Sequence, residues 1–124
     1  MKILIIGHNV DDVSSIAEGM RGYQTDRAST GWEALAMLQK DLYDMAILDI
    51  DLPDGTGHYL IPHIKKNQPN IYIATMTAYN SRDLEKKVRA QGIIYYMVRP
   101  FDMNEIKYML AHILIKKHGG TLEK

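Results

Sequence analysis

Residues 46–55 read AILDIDLPDG, and the reading of this stretch decides the fold. An aliphatic run, 45–48, stops at Asp49, and the turn residues Pro53, Asp54 and Gly55 follow closely. A short apolar run bounded by turn residues is the mark of a buried strand. A carboxylate at the end of such a strand can cap a loop, hold a metal or act as a nucleophile. Which of these it does depends on what the other strand ends supply.

Working outward, the runs 3–6, 71–75 and 93–98 have the same character, and the weaker alternating segment 23–28 predicts an edge strand. Strands that are continuously apolar imply a parallel sheet covered on both faces. Helical patterns separate them. Thr30-Gly31-Trp32-Glu33 and Asp102-Met103-Asn104-Glu105 have the capping-box form, the second opening a last helix with Ile106, Leu110, Ile113 and Leu114 as its stripe. Asn80 or Ser81 caps a helix over 82–90, and Asp11 or Asp12 begins one that runs to about Met20. Pro62 places a third helix so that the proline falls near its first turn. The result is β-α repeated five times: an α/β fold with a five-stranded, doubly wound parallel sheet. Ligands of such sheets bind beyond the carboxyl ends of the strands, where Gly7, His8, Asp49, Thr77 and Arg99 converge.

Composition narrows the function. The 124 residues are 46% hydrophobic and 24% charged, with 15 basic and 15 acidic side chains and a formal net charge of zero. That balance disfavours nucleic-acid binding by bulk electrostatics. There is no cysteine for a disulfide or thiolate site, no run of signal-peptide form and no membrane-length apolar stretch, so a cytoplasmic protein is expected. One domain is expected over 1–117, with a loose tail over 118–124. Trp32 and the eight methionines read as packing residues, and His58, His63, His112 and His118 receive no role.

Three pieces at three strand ends carry a resemblance: LDIDLPDGTG around Asp49, the pair Thr77-Ala78, and Tyr96-Met97-Val98-Arg99-Pro100-Phe101. Over 2–116 the sequence resembles the receiver domains of two-component response regulators, which have a flavodoxin-like topology. The resemblance implies that Asp49 is the phosphoacceptor, Thr77 the hydroxyl that moves toward the phosphoryl oxygens, and Tyr96 the aromatic switch residue. Arg99 falls where the family has a lysine, and the peptide bond to Pro100 is expected to be cis, a geometry proline tolerates.

Two departures follow. The family's acidic Mg²⁺-holding pair falls on Gly7 and His8. Glycine offers no ligand and imidazole suits magnesium poorly, so Mg²⁺ is disfavoured. Asp11 and Asp12 come about a helical turn too late to substitute, and Asp51 on the pocket rim reads as a turn residue. Arg99 is the second departure: a guanidinium grips a carboxylate in a way an ammonium does not, which makes Asp49 its natural partner.

The expectation is therefore an atypical receiver in phosphorelay signalling, not an enzyme. It either accepts a phosphoryl group at Asp49 or acts as a phosphorylation-independent docking switch. Implied partners are a sensor histidine kinase or phosphotransfer protein, a downstream protein or output domain, and a second copy through the last helix, but neither nucleic acid nor membrane. Two alternatives compete. A flavin-binding electron carrier of this topology needs a Ser/Thr/Gly-rich loop after the first strand, which Gly7-His8-Asn9-Val10 is not. A hydrolase with Asp49 as nucleophile lacks a general base and metal ligands.

Overall fold

The computed structural model describes residues 1–55 and 57–119. Strands β1 (Lys2–Ile6), β2 (Gln24–Ala28), β3 (Met45–Asp49), β4 (Tyr72–Thr77) and β5 (Tyr95–Val98) alternate with helices α1 (Val10–Gly19), α2 (Gly31–Lys40), α3 (Leu60–Asn67), α4 (Arg82–Ala90) and α5 (Met103–Lys117). All strand pairs are parallel, in the order β2-β1-β3-β4-β5. The doubly wound α/β architecture is the expected one.

Alternation along the strands divides the core in two. Leu4, Ile6, Ala46, Leu48 and Ile73 face α2, α3 and α4, meeting Ala34, Leu38, Ile61, Ile64 and Val88. Ile3, Ile5, Met45, Ile47, Ala74, Met76 and Met97 face α1 and α5, meeting Val13, Ile16, Ile106, Met109 and Ile113. Each Val, Leu, Ile or Met side chain among them, fully buried, contributes about 1.5–3 kcal/mol of transfer free energy, and the two layers hold the strand ends in register.

Four helices start on a side-chain cap. Asn9, Thr30, Ser81 and Asp102 accept from the backbone N–H of Asp12, Glu33, Leu84 and Glu105. The first of these differs from the expected start at Asp11 or Asp12, because the Asn9 side chain takes the Asp12 amide and begins the helix earlier. Pro62 lies in the first turn of α3, which follows a short 3₁₀ turn at Gly57–Tyr59. Gly57 has φ +44°, and a Cβ there would meet the Ile50 carbonyl oxygen at 2.7 Å, so this turn requires glycine.

Two expectations need correction. Trp32 is not a packing residue: α2 buries Gly31, Ala34 and Leu38, and Trp32, one position past Gly31, turns outward and is 72% exposed. The buried stripe of α5 is Ile106, Met109 and Ile113, with Leu110 and Leu114 only half-buried. Of the segment 118–124, His118 caps α5 through its N–H to the Leu114 carbonyl, and residues 120–124 lie outside the described residues.

Candidate functional site

The chain passes to opposite sides of β1 when it forms β2 and β3, so the sheet's switch point lies between β1 and β3. Gly7 and Asp49 end there side by side. A Cβ on Gly7 would be 3.5 Å from that of Asp49, an ordinary contact, so the two residues are direct neighbours at the sheet's edge. His8 is exposed, and the ion pairs of the site carboxylates among the described residues go to Arg99.

Asp49 is 2% exposed, and both of its oxygens are engaged. Oδ1 accepts the Asp51 backbone N–H at 2.8 Å, and Oδ2 accepts from Arg99 Nη2 at 2.9 Å. The expected pairing of Asp49 with Arg99 is present. The Arg99-Pro100 peptide bond is cis.

Arg99 holds more than Asp49. Its Nε donates to Asp12 Oδ2 at 2.5 Å and its Nη1 to Asp51 Oδ2 at 3.3 Å. Burial disfavours the charged guanidinium, but the bond to Asp12 and the charge of Asp49 outweigh it and hold the Arg99 pKa above its usual value. Arg99 is therefore a permanent cation among three carboxylates.

Asp51 is not simply a turn residue. Its Oδ1 accepts the Thr77 hydroxyl at 2.8 Å, and its Oδ2 accepts the Ala78 N–H at 2.7 Å in addition to Arg99. Thr77 Oγ1 in turn accepts the Tyr79 N–H at 3.1 Å. Asp12, expected to fall short, reaches the site through the long Arg99 side chain. Sequence reasoning placed Asp51 on the pocket rim but read it as a turn residue, and it put Asp12 out of reach. Asp51 lies two residues past Asp49 in the turn that leaves β3, which keeps it near the site. Asp12 falls in the first turn of α1 as expected, and the reach of Arg99 from another strand end is what joins it to the site.

Tyr96 packs its ring against the core beside α4, with the Arg89 guanidinium 5.8 Å from the ring centroid. Its hydroxyl is buried without a hydrogen-bond partner among the described residues. Burial, with the charges of Glu85 and Asp51, raises its pKa. The neighbouring face of β5 and α5 carries Tyr95, with Tyr108 and His112 each 6.1 Å away by ring centroids, and Tyr108 is 51% exposed.

The residues present do not fit a magnesium ion. Gly7 has no side-chain ligand, His8 is an exposed imidazole that suits magnesium poorly, and Asp12, Asp49 and Asp51 each bind a different nitrogen of Arg99 instead of converging on one point. Among the described residues no group of three His, Cys, Asp or Glu side chains is placed to hold a metal.

Comparison with known proteins agrees with this fold. The sequence profile of the response regulator receiver domain matches residues 6–111. Sporulation initiation phosphotransferase F of Bacillus subtilis (strain 168) is 33% identical over 86 residues, 69% of each chain. The DNA-binding transcriptional regulator NtrC of Azospirillum brasilense is 39% identical over 90 residues, 73% of this chain and 18% of that protein. Among solved structures, a two-component response regulator from Clostridium difficile superposes with a TM-score of 0.85 at 26% identity, covering 92% of this chain and 95% of the other. The chain belongs to the response-regulator receiver-domain family, a family of signalling domains. It spans about a quarter of the length of several transcriptional regulators it matches. The flavin-carrier alternative finds no support in these comparisons. No described helix is long and apolar enough to cross a membrane.

Proposed function

We propose that this receiver is a protein-docking switch in phosphorelay signalling whose strand-end loops are arranged by Arg99, without phosphorylation of Asp49. The observation that carries the reading is that both Asp49 oxygens are engaged, one by Arg99 and one by the Asp51 amide. Attack on a phosphoryl group requires a free carboxylate oxygen and a cation to neutralise charge on the transferring oxygens. Here the nearest cation is committed to three carboxylates.

A second reading, acceptance of a phosphoryl group at Asp49, is favoured by its position at the end of β3, with the Thr77 hydroxyl one residue away through Asp51. Incubation with an acyl phosphate, with and without Mg²⁺, beside Asp49→Ala, separates the two by intact-protein mass. No phosphoryl adduct in either condition is expected. An Mg²⁺-dependent adduct that disappears in Asp49→Ala overturns the docking reading in favour of the second.

The partners we assign are a sensor histidine kinase or phosphotransfer protein at the strand-end site, and an output protein or second copy on the Tyr95–Tyr108–His112 face. Sedimentation equilibrium distinguishes the last two. We assign the chain no catalytic turnover, a single domain over 1–117 and a cytoplasmic place.

A further inference from the structure

The polar residues at the strand ends form one connected unit. Asp12 stands in the first turn of α1, Asp49 at the end of β3, Asp51 in the following loop, Thr77 at the end of β4 and Arg99 just after β5. Arg99 bonds the three carboxylates through three different nitrogens, and Asp51 passes that hold on to the Thr77 hydroxyl and the Ala78 amide. Four segments from separate parts of the chain are thereby tied through the chain's own side chains.

The charge balance is unusual. Three carboxylates around one pocket repel each other, and a partly buried acidic group gains stability from a cation in contact. Two ways of supplying one are available to a protein: a divalent ion held by converging oxygens, or a basic side chain. The guanidinium suits the second. It is planar, permanently charged and able to donate in several directions at once, whereas an ammonium is a point charge. Its side chain is 21% exposed and Asp12 and Asp51 are 24% exposed each, so the cluster is shielded but not sealed.

We propose that the Arg99 guanidinium is a built-in cation that takes the place of a divalent ion at this site, with Asp12 as the residue that positions it. The proposal deepens the docking reading by naming what fixes the loops, and it makes the arrangement indifferent to Mg²⁺. Asp12 earns its role by geometry: its bond to Nε, at 2.5 Å, is the shortest of the three and orients the guanidinium so that both terminal nitrogens face β3 and its loop.

The test is thermal unfolding of the wild type, Arg99→Ala and Arg99→Lys, each with MgCl₂ and with NaCl of matched ionic strength. Wild-type Tm is expected to be the same in both salts. Arg99→Ala should lose roughly 5–15 °C in NaCl, because three carboxylates are left facing each other. It should regain about 3–6 °C in millimolar Mg²⁺ through binding to the folded state. Arg99→Lys, the variant that keeps a charge and the fold, should show a smaller gain, since an ammonium cannot serve all three carboxylates. Broadening of the Asp51 and Ala78 amide signals by Mn²⁺, in the variants and not in the wild type, reports the same event at residue level. A saturable rise of the wild-type Tm in Mg²⁺ would overturn the proposal, as would the absence of any Mg²⁺ gain in both variants. Neither result bears on phosphoryl acceptance, which the mass measurement reads separately.

Discussion

Tyr96 shows how a single side chain can carry a cost in the folded state. Its hydroxyl is buried and unpartnered among the described residues, and so is that of Thr75, which lies opposite it in the β4–β5 register. A buried donor without a partner costs about 1–3 kcal/mol. Tyr96→Phe keeps the ring and removes the group, so urea unfolding should show the variant equal to the wild type or up to about 1 kcal/mol more stable. A loss of more than that would mean the hydroxyl is paired. Tyr96 and Thr77 were legible in the sequence as positions on neighbouring strand ends. What they bond was not, because a hydroxyl can turn to whatever acceptor the fold presents. The same limit explains Asp12 and Asp51. Spacing relates a residue to its own element, whereas the guanidinium that gathers these carboxylates reaches from another part of the chain.

Among the elements, the caps were the most readable feature and the phase of the helices the least. Thr30 and Asp102 cap as their sequences imply, and Ser81 is the cap of the pair Asn80-Ser81. Trp32 and the stripe of α5 were misplaced because α2 and α5 carry apolar residues on more than one face, and periodicity alone does not say which face meets the sheet. α4 is the element where a cap matters most. Val88 is its one buried residue, with Leu84 packed partly against the core, so tertiary contacts hold it weakly. Ser81→Ala removes the acceptor for the Leu84 amide and should cost about 1 kcal/mol. Amide exchange should quicken across Arg82–Ala90 and stay unchanged in α5; equal effects on both helices would count against a locally held α4.

At the scale of the whole molecule, four apolar runs, one weaker alternating segment and the intervening helices were enough to specify a doubly wound parallel sheet, because continuously apolar strands need cover on both faces. The strand order, with β1 between β2 and β3, places Gly7 beside Asp49. The remaining question is what sets the loops at that edge. In the arrangement described, Arg99, Asp51 and Thr77 join the ends of β3, β4 and β5 through a single charged group. The most direct measurement is the amide spectrum of the ¹⁵N-labelled chain recorded alone and with an acyl phosphate plus Mg²⁺. The account predicts that the Asp51, Ala78 and Tyr79 signals hold their positions, because their bonds are already made. Movement of these signals on addition, absent in Asp49→Ala, would contradict it and show that the loops await a phosphoryl group.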